Sequence, residues 1–225
     1  MNKIKTMDTV IKLIAFDLDG TIADTIPMCI KAFREAVEPY TGHELSEEEI
    51  VQTFGLNEEG MIKQVIADKG DLSKALEDFY EIYSKMHLFC PDPFDGVKEL
   101  IAELKNSSTT IALITGKGKR SCEITLQQFS MENYFDRIET GSAEKNRKSE
   151  VIQDLLNSYQ LHSNEMVYIG DAVSDITESR KAGVRCLSAA WAKSTDAKKL
   201  LKHNEGFFFL TIESLKEYLF QRLNK

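Results

Sequence analysis

Apolar residues in this chain gather into short runs that alternate with stretches where they recur every three or four positions. Runs at 11–16, 110–115, 166–170, 184–189 and 207–210 have the length of strands buried on both faces of a parallel sheet. Between them lie helical stripes. Val97, Leu100, Ile101 and Leu104 fit the i, i+3, i+4, i+7 template, and Val151, Ile152, Leu155, Leu156 and Tyr159 form another. A closing helix is predicted over 213–223. Alternating strands and helices predict an α/β chain with a Rossmann-like parallel sheet covered on both faces.

The region between Ile26 and Pro91 departs from that alternation. It carries no strand pattern, only successive helical ones: Ile30, Phe33 and Val37; then a capping box, Ser46 with Glu49; then Met61, Ile62, Val65 and Ile66; then Leu76, Phe79, Tyr80 and Tyr83. Pro27 opens the segment and Cys-Pro-Asp-Pro (90–93) closes it, because proline disfavours helix at itself and its predecessor. The expected organisation is a discontinuous core, 1–26 and 92–225, with an all-helical insertion at 27–91.

Composition narrows the class without naming a function. The 225 residues are 42% hydrophobic and 28% charged, as in an ordinary globular protein, and the net charge of −8 disfavours nonspecific binding to nucleic acid or anionic membrane. Cys29, Cys90, Cys122 and Cys186 are far apart and form no C-x-x-C, so reduced thiols are expected instead of a disulfide framework or zinc site. The first ten residues lack a signal peptide's apolar segment, and no run approaches the ~18–20 residues of a membrane span. A soluble, cytoplasmic protein is expected. No heptad seam indicates an oligomeric state.

Candidate chemistry sits at the predicted strand ends, where open α/β sheets place their ligands. Asp17 and Asp19 follow the first strand two residues apart; continued extension would project both to one side, and Gly20 then lets the chain turn. One carboxylate can attack phosphorus, and a second can protonate the leaving oxygen and then activate water. Two anions beside a phosphate need a cation, and Mg2+ accepts carboxylates together with phosphate oxygens. Asp171 and Asp175, in Gly-Asp-Ala-Val-Ser-Asp after the 166–170 strand, supply further acids. Each acid pair alone also reads as a polar turn or helix cap; a calcium loop is excluded, because Thr21 and Ile22 stand where it needs an acid and a glycine. Thr115 and Gly116 end the second strand, where a hydroxyl and exposed amides bind phosphate oxygens or cap a helix. Lys148 precedes a helix starting near Ser149 and can neutralise a carboxylate and a phosphoryl group; Lys145 and Arg147 compete for that role, and the charge run also reads as solvated surface.

Together, Phe-Asp-Leu-Asp-Gly-Thr, Ala-Leu-Ile-Thr-Gly-Lys, the lysine–helix junction at 148 and Gly-Asp-Ala-Val-Ser-Asp resemble the haloacid dehalogenase superfamily, in particular its phosphoglycolate phosphatase-like branch. The resemblance spans essentially the whole chain and implies a Rossmann-like core with a mobile four-helix cap. It implies Asp17 as nucleophile, Asp19 as general acid/base, and Thr115 and Lys148 as phosphoryl ligands. It implies magnesium on Asp17, the Asp19 main-chain carbonyl and Asp171, with Asp175 a ligand or a supporting partner. Two departures are present: Ser149 follows Lys148 where the family often has proline, and Trp191-Ala192 stands where relatives frequently place glycine.

Asp19 argues against the dehalogenases, which lack it. The expected activity is magnesium-dependent hydrolysis of a small phosphorylated metabolite through an aspartyl-phosphate. A sugar phosphomutase of the beta-phosphoglucomutase type or a pyrophosphatase is the alternative, and a noncatalytic protein keeping the fold is a third class. Gly20-Thr21 and Gly170-Asp171 favour the phosphatase form over the mutase form. The loop Thr53–Glu58 is expected to lean over the site, with Gly55 allowing close approach or simply ending a helix.

Overall fold

The computed structural model describes residues 10–66 and 71–223. The reading of the leading segment as free of a targeting signal therefore falls mainly on residues 1–9, outside the described residues.

Strands β1 (Leu13–Phe16), β2 (Thr110–Ile114), β3 (Arg137–Glu139), β4 (Met166–Gly170), β5 (Arg185–Ala189) and β6 (Phe208–Phe209) form one parallel sheet in the order β3-β2-β1-β4-β5-β6. The order reverses direction at β1, which pairs with β2 on one side and β4 on the other: Leu13 lies opposite both Thr110 and Met166. That reversal leaves a crevice at the carboxyl ends of the central strands. Each predicted run lies on a strand; 166–170 coincides with β4, and the others are trimmed by a residue or two. Strand β3 had no counterpart in the hydrophobic pattern, since Arg137 and Ile138 are exposed and Glu139 is half-buried.

Both faces of the sheet are covered, which is why its strands read as unbroken apolar runs. Ile14, Phe16, Ile111, Leu113, Val167 and Ile169 point into one core, and Leu13, Ala15, Ala112, Ile114, Met166 and Tyr168 into the other. Helices α5 (Val97–Asn106), α6 (Lys119–Gln128) and α10 (Ile212–Phe220) contribute apolar stripes to the first. Helices α7 (Lys148–Ser158), α8 (Val173–Lys181) and α9 (Ala197–His203) do so for the second. A fully buried leucine such as Leu13 anchors this packing; truncating such a residue to alanine costs about 2–5 kcal/mol.

Between β1 and α5 the described chain forms helices α1 (Ile26–Thr41), α2 (Glu47–Val51), α3 (Glu58–Val65) and α4 (Leu72–Met86), and adds no strand to the sheet. Pro27 lies in the first turn of α1, where its missing N–H costs nothing. The Ser46–Glu49 capping box opens α2. Phe33 of α1 meets Phe79 of α4 edge-on at 6.4 Å, and Phe79 stacks on Tyr83. This segment is tied to the sheet through α6: the Tyr83 hydroxyl lies 2.7 Å from Thr125 Oγ1, and His87 Nε2 lies 3.0 Å from the same oxygen.

Among the described residues, no helix is long and apolar enough to cross a membrane. All four cysteines are free thiols.

Candidate active site

Three strand ends and one helix start converge at the crevice. Beyond β1, the Asp17 amide donates to Ile169 O at 2.8 Å, so the ladder with β4 holds the backbone at the very residue that carries the carboxylate. The chain then turns: Ile22 N donates to Leu18 O, and Gly20 N to Ala23 O. Gly20 has φ of +76°, and a Cβ there would lie 2.1 Å from Asp171 Oδ2. Only glycine lets the turn after β1 pass this close to the acid after β4.

Asp171 follows β4, its Oδ2 accepting from Thr195 Oγ1 at 3.0 Å and its Oδ1 from Thr21 Oγ1 at 3.4 Å. Asp175 sits in the first turn of α8, where Oδ2 accepts from Ala172 N at 3.0 Å. Lys148, at the start of α7, places its ammonium 2.8 Å from Asp17 Oδ2 and 2.6 Å from Asp175 Oδ1. The Tyr168 ring lies beneath that ammonium at 5.5 Å.

Oxygens of Asp17, Asp171 and Asp175 come within 4.8 Å of one another, all three residues buried. Burial raises Asp17 to about 7, with Asp175 adding to the rise and Lys148 opposing it. Burial, then Asp175 and Asp17, push Asp171 well above the usual carboxylate range. Burial disfavours charge on Lys148 too, but Asp17 and Asp175 outweigh it and hold the ammonium protonated far above neutrality. Three buried carboxylates against one lysine leave an excess of negative charge, and their all-oxygen donor set fits a hard divalent cation.

Asp19 lies beside this cluster, with different partners. Its Oδ1 accepts from Thr25 Oγ1 and stands 3.3 Å from Lys117 Nζ. Thr25 precedes α1 yet makes no capping bond, its hydroxyl being turned to Asp19. Lys117 also reaches Cys29 Sγ at 3.1 Å and lies over the Tyr83 ring at 4.4 Å. Burial pushes the Cys29 thiol up to about 12, so it stays neutral beside that ammonium.

A cavity of about 170 Å³ opens onto Asp17, Asp19, Gly116, Lys117, Lys148 and Asp171. The helical segment supplies the opposite wall: Phe33, Phe54, Leu56, Met61 and Phe79, with Glu58 the one acid among them. Leu56 and Gly55 thus lie over the crevice, and Gly55 approaches Asn146 with φ of +106°.

Of the residues singled out from sequence, Asp17, Asp19, Gly116, Lys148 and Asp171 border this cavity together. Asp175 is fully buried behind Lys148. Thr115 borders a separate crevice of about 10 Å³ with Gly116 and Lys148, its Oγ1 accepting from Lys117 N at 3.1 Å. Lys145 and the half-buried Arg147 both pair with Glu150, so neither competes with Lys148.

Sequence reasoning missed Lys117 and Glu58. For Lys117 the signal was present, a lysine one residue beyond Thr-Gly at a strand end. The loop that ends at Glu58 is expected over the site, but nothing marks the acid itself, since an acid in a helix's first turn is commonplace. Its carboxylate accepts from Gly118 N at 2.8 Å and from Ser121 Oγ, both at the start of α6, and so pins α3 to the sheet domain.

The family described as haloacid dehalogenase-like hydrolase matches residues 14–189. The chain belongs to that family. Among relatives of this hydrolase, a phosphoglycolate phosphatase of Vibrio parahaemolyticus is 30% identical over 184 residues, covering 77% of this chain and 81% of the relative. The pyrophosphatase PpaX of Bacillus cereus is 22% identical over 80% of this chain and 84% of its own. Among solved structures, the haloacid dehalogenase-like family protein SP0104 of Streptococcus pneumoniae superposes with a TM-score of 0.71 at 24% identity, covering 92% and 98% of the two chains. That likeness speaks to the fold.

Proposed function

We propose that this hydrolase is a magnesium-dependent phosphatase acting on a small phosphorylated metabolite through an aspartyl-phosphate on Asp17. The observation that carries the reading is Lys148, clamped between Asp17 and Asp175 at the floor of a cavity that also exposes Asp19 and Asp171. A ligand's phosphoryl group entering there meets a nucleophile, a fixed cation and a second carboxylate.

In the first step Asp17 Oδ attacks phosphorus, the bond from phosphorus to the leaving oxygen breaks, and that oxygen takes the proton of Asp19. In the second, water attacks the acyl phosphate, Asp19 takes the proton of the water, and cleavage of the phosphorus–Asp17 bond releases phosphate. Lys148 offsets the negative charge that gathers between nucleophile and phosphoryl group. Gly116 offers the phosphoryl oxygens its backbone N–H, and Thr115 its hydroxyl. Asp17, Asp171 and the main-chain carbonyl of Asp19 would hold magnesium, which when bound supplies the remaining charge neutralisation. Asp175 holds Lys148 in place. Residues 27–91 form a cap whose closure over 1–26 and 92–225 excludes water from the first step.

The apolar far wall favours hydrolysis over the mutase alternative, because a sugar would need polar partners there for its hydroxyls. Both relatives named above act, by their names, on small phosphorylated compounds.

The test is phosphate release from p-nitrophenyl phosphate. Activity is expected with magnesium, lost on EDTA and restored by excess magnesium. Asp17→Asn is expected to fold with the parental circular dichroism and to lose at least ~10³-fold in kcat. Turnover by that variant within tenfold of the parent would refute the nucleophile.

A further inference from the structure

The catalytic crevice uses the carboxyl ends of the strands; a larger cavity lies at their amino ends. Its volume is about 800 Å³, within the range of small-molecule sites, and it opens beside the first residues of β4 and β5. Met166 borders it, and Gly170 ends the same strand at the catalytic crevice, so at about 3.3 Å per residue the two sites stand ~13 Å apart along β4. The charged groups that line it are all cations: Arg180 near the end of α8, Arg185 at the start of β5 and Arg222 just beyond α10. Among the described residues, none of these guanidiniums pairs with a carboxylate. Arg180 donates to His203 O, Arg185 to the Tyr218 hydroxyl and Arg222 to Tyr218 O. Neighbouring acids are engaged elsewhere, Glu165 with Lys12 and Glu178 with Lys181.

The charge there runs against that of the whole chain. Residues 180–203 carry seven Lys or Arg and a single acid, Asp196, in a protein of net charge −8. Two of the guanidiniums flank one tyrosine: Arg222 lies over the Tyr218 ring at 3.9 Å, and Arg185 Nη1 stands 3.3 Å from its hydroxyl. Like charges so placed repel, and a bound anion relieves them. Arg185 also lies over the Phe207 ring at 4.3 Å. A guanidinium held flat on a ring keeps its N–H edge and its other face available. The wall that carries Phe207 is fixed by Asn204, whose amide donates to Cys186 O at 3.0 Å, Ser188 Oγ at 2.9 Å and Phe207 O at 3.3 Å. The floor is apolar, through Val167, Ile176 and Val184. An inorganic anion leaves that floor to water, and a duplex or a membrane surface is too broad for a recess of this size.

We propose that this cavity is a second ligand site, taking a nucleoside polyphosphate: its phosphates lie on Arg180, Arg185 and Arg222, and its base covers the apolar floor against the free face of the Arg185 guanidinium. The site shares no residue with the catalytic cluster, so it stands apart from the phosphatase reading.

The experiment is isothermal titration of the full chain, in EDTA to prevent turnover, with ATP, adenosine and inorganic tripolyphosphate as probes. The parent is expected to bind ATP with a Kd at or below about 0.1 mM. Adenosine, which lacks the phosphates, and tripolyphosphate, which lacks the base, are each expected to bind at least about tenfold more weakly. The double variant Arg185→Gln/Arg222→Gln, with parental circular dichroism, is expected to lose at least about tenfold in ATP affinity. An ATP affinity unchanged in that folded variant overturns the proposal, since the nucleotide is then held elsewhere. Tripolyphosphate binding as tightly as ATP overturns it too, by removing the base, and so does a parent that fails to bind ATP. Photolabelling of the parent with 8-azido-ATP needs no variant to fold: label within 204–223 supports the site, and label confined to the strand ends around Asp17 and Asp171 overturns it.

Discussion

Gly60, near the start of α3, lies where the helical segment presses on the loop that leads to Lys148. A Cβ built there would stand 2.4 Å from Ala143 O and 2.8 Å from both Ala143 C and Cα, all backbone atoms that cannot swing aside. Gly60→Ala therefore forces α3 or the loop to retreat by roughly 1 Å to reach ordinary contact. Two opposing magnitudes decide the outcome. Alanine in place of glycine favours helix by about 0.8–1 kcal/mol. Overpacking costs about 1–3 kcal/mol, and the retreat also stretches the 2.9 Å bond from Asn57 N to Ser142 O. The expected net is a destabilisation of about 0–2 kcal/mol, a shift of a few degrees in Tm.

Activity should register the change far more strongly, because α3 carries Glu58 and Met61 to the cavity wall. A displacement near 1 Å at a positioning element costs on the order of 10–100-fold, so kcat/KM is expected to fall by that factor. The assay pairs thermal unfolding with phosphate release, with Gly206→Ala as control, since nothing lies within 4 Å of a Cβ at 206. Parental kcat/KM in Gly60→Ala would show that apposition of α3 and the Ala143 loop does not govern the site.

Two further outcomes are expected. Asp175→Asn should keep its response to added magnesium while losing about 10–100-fold in turnover, because Asp175 serves Lys148; Asp171→Asn should lose the magnesium response itself, and titrating both variants with the metal tells them apart. Burial holds the His87 imidazole below its ordinary range of about 6.5, so below that pH the unfolded chain takes up a proton that the folded chain resists. Its contribution to stability is full above about pH 6.5 and is lost as pH falls through the lower folded value. Tm should drop from pH 7 to pH 5 with a smaller slope in His87→Gln, and equal slopes would count against this assignment.

The sheet was legible wherever burial on both faces wrote a continuous apolar run, as in Ile-Ala-Leu-Ile before Thr115 and Met-Val-Tyr-Ile before Gly170. Strand β3 escaped because Arg137 and Glu139 gain their pairing from β2 alone and bury little. The acids were legible because Asp17, Asp19 and Asp171 come at strand ends, where packing offers a carboxylate nothing. Lys117 and Glu58 act through contacts made across 88 and 60 positions of chain, to Cys29 and Gly118; Lys117 is marked locally only by following Thr-Gly at a strand end, and the acid of Glu58 not at all. Gly20 illustrates the same limit: its place in a turn is readable, but its need to clear Asp171 arises only after the chain has folded.

The placement of β1 between β2 and β4 sets the order in which this protein can come into being on the ribosome. The strand that leads to Asp17 is synthesised well before its second neighbour, which begins only at Met166. Helices α1 to α4 emerge next and have local partners of their own, whereas β1 must wait with an unpaired edge until Met166 and the residues after it have been made. A nascent chain halted before Met166 would expose that edge to other molecules and would have no means of forming its catalytic pocket.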